Sequence, residues 1–223
     1  MNYIYLLIEV LLIFLIMVLF YKFGKKDGLF LYISLMSLLL CMIMFKSIDI
    51  LSFEVDLGIP FIMGIFVCSN IIVQKYGTDE IKDIIKSFLV PYVATTIILS
   101  LVSLIESGDY NIITNNAYDS LFGYNMDNVR MFISGFISIS FTLWYNAYVY
   151  YYIRKSKNKY LFSNVGSMLI IQFLESIIFV LVAYIGSFDF NIIFGMIVVR
   201  YLLKVIIGFA SLLPINFILK MKS

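Results

Sequence analysis

The chain has 223 residues, of which 62% are apolar and 13% charged, with a net charge of +2 and no histidine. A soluble domain carries roughly 25% charged residues, so this composition excludes a globule clothed by water and points to lipid as the main solvent. The two cysteines, Cys41 and Cys68, fall inside apolar runs without CxxC spacing, which suggests neither a zinc site nor a disulfide framework, so both are read as packing residues. The small, dispersed positive charge requires no nucleic acid partner.

Seven apolar runs follow along the chain, at 3–21, 29–45, 57–74, 84–105, 131–152, 166–186 and 193–213, each near the ~20 residues that cross hydrocarbon. The first lacks the basic start and small-residue cleavage site of a signal peptide and is expected to remain in the mature protein. Pro60 is expected to set the start of the third run. Pro91 and Pro214 lie within or at the end of runs, where they free backbone carbonyls and can bend a helix. The connection 106–129 is polar, contains Gly108 and Gly123, and is too broken to span, so it should lie outside the bilayer. No internal repeat or flexible linker interrupts the pattern. The expectation is an all-α polytopic membrane bundle of about seven transmembrane helices, forming a single domain over residues 1–223.

Basic residues are retained on the cytoplasmic side. Lys22, Lys25, Lys26, Lys75, Lys82, Lys86, Arg154, Lys155, Lys157, Lys159, Lys220 and Lys222 fall on one side of the predicted topology, against Lys46 and Arg130 on the other. Asp49, Glu54, Asp56, Glu106, Asp109, Asp119, Asp127 and Asp189 gather on the basic-poor side. An external N-terminus and a cytoplasmic C-terminus follow, which requires an odd number of spans.

Glu175 and Lys204 break the rule that charges stay in connections. From a rise of about 1.5 Å per residue, both lie roughly 14 to 17 Å inside the sixth and seventh runs, near the bilayer midplane. A charge there costs roughly 2.5 to 3.5 kcal/mol on insertion scales and commonly marks a transport pathway. The two helices are antiparallel and share a short turn, so the pair should meet and border a hydrated vestibule; an ion pair that only fastens two helices is the competing reading. Arg200, one turn before Lys204, either adds a second cation facing one carboxylate or snorkels outward. Asn164, Ser167 and Gln172 on the sixth run, Ser69, Asn70 and Gln74 on the third, and Asn146 on the fifth are polar at helical spacings. Each serves equally as a helix-to-helix hydrogen bond or as a ligand contact. Tyr148, Tyr150, Tyr151 and Tyr152 precede a basic loop and read as an interfacial belt. Glu9, in the first run, has no role visible in the sequence.

Three segments carry a resemblance: CSNIIVQKYGTDEIKD from Cys68, SNVGSMLIIQFLESIIFVLVAYIG from Ser163, and YLLKVIIGFASLLPINFILK from Tyr201. In order and spacing the chain resembles the queuosine precursor transporter family of bacteria, also called the vitamin uptake transporter family, over about 29–222. The matching positions are Asn164, Ser167, Gln172 and Glu175, then Tyr201 to Lys204 and Pro214, with Tyr76 and Gly77 closing the third span. Members commonly place acidic residues where this chain has Asn70 or Gln74 and Thr142 to Asn146. The first run looks like an addition to a six-helix family core.

The resemblance implies import of a 7-deazaguanine base or related precursor of tRNA modification through a bacterial inner or plasma membrane. Glu175 would accept the base's N–H donors, Lys204 would be its counter-ion, and Asn70, Gln74, Asn146, Ser167 and Gln172 would meet the remaining polar edge. The expected partners are the deazapurine-like substrate and the lipid bilayer, with a homo-oligomer or an energising subunit left open. No cofactor and no metal is implied. The alternative is a substrate-capture membrane subunit of an ATP-driven vitamin uptake system. An enzyme is not expected, since no histidine, HExxH, Gly-rich phosphate loop or convergent acid–base set is present.

Overall fold

The computed structural model describes residues 2–106, 111–157 and 160–221; Gly108, Asp109, Lys159 and Lys222, used above in reading loops and charge, lie outside the described residues. Helix α1 (Asn2–Ile43) covers the first two predicted spans and is broken at Lys25, whose φ of 49° and ψ of −121° leave the helical region. The break folds two arms back on one another. The Tyr32 hydroxyl donates to the Ile13 carbonyl at 3.3 Å, and the Tyr32 ring meets Phe20 edge-on, with centroids 6.2 Å apart.

The link to the third span, expected only as a connection, is an antiparallel hairpin of β1 (Ser47–Ile50) and β2 (Phe53–Asp56), with Ser47 opposite Asp56 and Ile50 opposite Phe53. Leu51 and Ser52 turn it with φ of 51° and 66°, the paired left-handed backbone that suits a two-residue hairpin.

Helix α2 (Ile59–Tyr76) is the central element. Its run IPFIMGIFVCSNIIV is apolar all round apart from Ser69 and Asn70 and is buried throughout, as a helix with almost no polar face must be. Pro60 sits in its first turn, and Gly77, at φ 99°, closes it. Gly64 crosses the α1 hairpin so closely that a β-carbon would overlap the Tyr32 hydroxyl and press on Ile13; small residues permit such approach between membrane helices. Cys41 and Cys68 are buried free thiols, in keeping with packing roles.

A single 3-10 turn (Thr78–Glu80) leads into α3 (Ile81–Val102), which carries Pro91 and leaves Val90, Ile97, Ile98 and Leu101 exposed. The polar connection holds a helix of its own, α4 (Ile112–Phe122). Then come α5 (Met126–Lys157), α6 (Tyr160–Tyr184), α7 (Phe190–Ala210) and α8 (Leu212–Lys220), the last pair separated at Ser211 ahead of Pro214. Five stretches are long and apolar enough to cross a membrane: α1, α2, the turn with α3, α6, and the α7–α8 run. Counting the arms of α1 separately and adding the 32-residue α5, whose interior polar row lowers its hydropathy, gives the seven segments read from the sequence. The basic side is tied together at Lys26–Glu80, 2.7 Å, and by Lys75 Nζ donating to the Met221 carbonyl at 2.8 Å.

Replacing Gly64 by Val should destabilise the bundle by about 1–3 kcal/mol through overpacking, seen as a lower melting temperature in detergent. Gly24→Ala, at a position with nothing within 4 Å, should leave the melting temperature unchanged.

Candidate functional site

Helix α5 carries Arg130, Ser134, Ser138, Thr142, Asn146, Tyr150 and Arg154 at strict four-residue spacing, and the five from Ser134 to Tyr150 are buried. Residues four apart share a helix face, so this row lays a polar seam through an apolar bundle. Helices α2, α6 and α7 add their own polar groups to it in three layers.

The first layer is charged. Glu175 on α6 pairs with Lys204 on α7 through Oε2, while its Oε1 accepts from Arg200 Nη2 at 3.3 Å and from Ser138 Oγ at 3.2 Å. Lys204 Nζ also donates to Ser176 Oγ at 3.2 Å. Arg200 does not snorkel. Its guanidinium stacks on Phe179, 3.8 Å from the ring centroid, and its Nη1 pairs with Asp56 Oδ2. Asp56, the last residue of β2, spends its other oxygen on the Gly58 amide at 3.1 Å. All four charged residues are buried. The expectation of two cations facing one carboxylate is therefore corrected: Asp56, assigned by sequence to an external loop, supplies the second acid and balances the cluster.

The second layer joins α2, α5 and α6. Asn146 Nδ2 donates to Asn70 Oδ1 at 2.7 Å and to Ser69 Oγ at 3.2 Å. Asn70 Nδ2 donates to Asn164 Oδ1 at 2.7 Å and lies 3.4 Å from Ser167 Oγ. In the third layer Gln74 Oε1 accepts from Tyr150 OH at 2.7 Å and from Arg154 Nε at 3.1 Å. Tyr150 is thus removed from the expected interfacial belt, whereas Tyr148, Tyr151 and Tyr152 are exposed. From Ser138 to Asn146 is two turns of α5, roughly 12 Å, so Asn70, Asn146 and Ser167 are brought together with one another, Gln74 lies one layer further on, and none of the four contacts Glu175.

Gln172 lies between the first two layers. It is 1% exposed, and neither its amide nitrogen nor its amide oxygen has a hydrogen-bond partner among the described residues. Leaving such groups unmade costs about 1–3 kcal/mol each. Gln172 and Lys204 line a cavity of about 10 Å³ with Met168, Leu169, Gly208 and Phe209, room for about one water molecule. The expected vestibule is closed in this conformation, since sites for small ligands run to about 300–1,000 Å³. At the basic end the seam opens into a recess of about 380 Å³ lined by Gln74, Tyr150, Tyr151, Arg154 and Lys155. Glu9 lines a separate recess with Lys46 and Asp49. Among the described residues no group of three or more acidic or thiol side chains is placed to hold a metal ion.

A neutralised charged cluster on the interior polar seam of a helical membrane bundle is the kind of arrangement that marks transport pathways. Residues 56–219 match the family described as "Putative vitamin uptake transporter", and the chain belongs to that family. It is 25% identical over 202 residues to the "Probable queuosine precursor transporter" of Bacillus subtilis (strain 168), covering 89% of this chain and 86% of that protein. No solved structure matches it. The matched region begins at Asp56, so all four charged residues lie inside it. Sequence reasoning places Asp56 in an external connection and Tyr150 in an interfacial belt and does not single out Ser138 or Ser176, all four of which are interior; the four-residue row on α5 is the available signal for Ser138 and Tyr150.

Glu175→Gln alone strands Arg200 and Lys204 with one acid and should cost about 3 kcal/mol, the scale of breaking a buried pair. Adding Lys204→Met should recover part of that loss. Thermal unfolding of the two single variants and the double variant in detergent checks this, and strictly additive losses would show that the pair is not coupled.

Proposed function

We propose that this protein imports a queuosine precursor or a related 7-deazaguanine-like base, recognised by Glu175. One observation carries the reading: a buried carboxylate, shared by two cations and lying on a polar seam, inside the region that matches an uptake-transporter family. The B. subtilis relative's name supports the cargo class.

The chemistry is that of exchange. A guanine-like edge offers adjacent N–H donors, which a carboxylate accepts as a pair of charge-assisted bonds strengthened by low dielectric. To load the base, Glu175 gives up one cation. Lys204 then remains on Ser176 Oγ, already 3.2 Å away, and Arg200 remains on Asp56. Gln172, one turn along α6, supplies its unspent donor and acceptor to the opposite edge. Asn70, Asn146 and Ser167 lie too far along the seam to touch a bicyclic base held by Glu175, so they form a second station. Gln74 with Tyr150 and Arg154 lines the exit into the recess at the basic end, which the charge asymmetry assigns to the cytoplasm.

Uptake of a labelled deazapurine by a host lacking its own importer should fall at least about tenfold in Glu175→Gln, the loss expected for one charge-assisted contact, and Lys204→Met should also lower it. Unchanged uptake in both variants would remove the roles assigned to them. Vesicles containing this chain alone separate self-sufficient import from capture for an ATP-driven partner: equilibration or accumulation is expected, and binding without sustained entry would transfer the protein to the second class.

A further inference from the structure

The geometry points to the β1–β2 hairpin as the outer gate of the Glu175 site, latched shut by Asp56 on Arg200; this rests on the proposed uptake function for its purpose, though not for its test. Asp56 is 6% exposed and is the only member of the charged cluster that belongs to neither α6 nor α7. The hairpin's other anchor on α7 is Phe53, whose ring lies where even a methyl group on Gly195 would overlap it. Val55, beside Asp56, is buried, while the tip residue Leu51 is 72% exposed. The element is therefore held at its base by Val55 and Asp56 and beside its turn by Phe53, with the turn residues Leu51 and Ser52 exposed.

Two strands of four residues are marginal by themselves, and the turn adds two non-glycine residues at positive φ. Nothing intrinsic to the hairpin fixes it over the site as firmly as the buried pair does. Further along α6 and α7, the cavity beside Gln172 and Lys204 holds only about 10 Å³, and a base approaching Glu175 from the hairpin's end meets Asp56 held on Arg200. Arg200 couples displacement of the hairpin to recognition, because its guanidinium is shared between Asp56 and Glu175. With Asp56 in place, Arg200 is drawn away from Glu175 and the carboxylate is easier to hand to a ligand. With Asp56 gone, Arg200 falls wholly on Glu175. Asp56 is thus a positioning residue for the substrate carboxylate as well as the latch.

The test needs no knowledge of the cargo. Gln172→Cys places a thiol beside the closed cavity, and native Cys41 and Cys68, both buried, report any general loosening. In purified full-length protein, Asp56→Asn should speed labelling of the thiol at position 172 by at least about tenfold, the scale on which a lost buried pair shifts a local equilibrium, with Cys41 and Cys68 still protected. Asp56→Glu should restore slow labelling. An unchanged rate at position 172, or all three thiols becoming reactive together, overturns the gate. In the Phe53→Cys, Gly195→Cys double variant, a short thiol cross-linker should stop deazapurine uptake and a reductant should restore it. Full uptake while cross-linked also overturns the gate, whereas a wild-type chain that takes up no deazapurine refutes the cargo and leaves the labelling result standing.

Discussion

The arrangement depends on burying two cations where hydrocarbon cannot solvate them. Arg200 and Lys204 lie one turn apart on α7 and are essentially inaccessible to solvent, which is tolerable only if acids of equal number meet them. Glu175 on α6 supplies one and Asp56 at the end of β2 supplies the other. The alternation acid, base, acid, base fixes three separate pieces of chain relative to one another: the hairpin, α6 and α7. Removing any one member leaves an uncompensated charge, and that penalty exceeds what the intact pair contributes by itself. The cluster is therefore a condition on the fold more than a source of its stability, and it is closed because its members satisfy each other. A ligand that replaces one cation at Glu175 changes which pairings are available to the rest.

The remaining polar groups follow the same rule at lower cost. An amide in the bundle interior must find another polar group, and Asn70, Asn146 and Asn164 find one another across three helices. Such bonds contribute roughly 0.6 to 2 kcal/mol each between membrane helices, enough to bind the layer but weak enough to be exchanged for a ligand. Gln172 stands apart with neither end paired among the described residues, next to the Glu175 layer and the small cavity. Helix α2 supplies the opposite quality. Being apolar on every side except Ser69, Asn70 and Gln74, it offers the seam a rigid wall and little alternative hydrogen bonding.

Much of the bundle was legible because the bilayer enforces a simple code of length and hydropathy. Glu175 and Lys204 were foreseeable as partners because α6 and α7 are antiparallel neighbours joined by a short turn, which equalises their depth. Asp56 was not, because it lies outside every apolar run and sits among acids that membrane topology already explains; only the hairpin's fold returns it to the interior. The hairpin itself has four-residue strands, SIDI and FEVD, too short for alternation to stand out from a loop. Tyr150 was misread because four tyrosines beside a basic loop suggest an interface, while its place in the α5 row, one turn from Asn146, argues for the interior. The gathering of all seven candidate ligands around one base failed for a reason of distance: helical rise separates Ser138 from Asn146 by roughly 12 Å, so shared polarity did not mean shared contact.

The central claim is that the Glu175 carboxylate exchanges a cation for the substrate. Infrared difference spectroscopy on the purified protein, with and without a deazapurine, observes that carboxylate directly. The account predicts a ligand-induced change in the carboxylate stretching bands of the wild-type protein that disappears in Glu175→Gln. Saturable binding with no carboxylate change, or the same difference bands in Glu175→Gln, would contradict it.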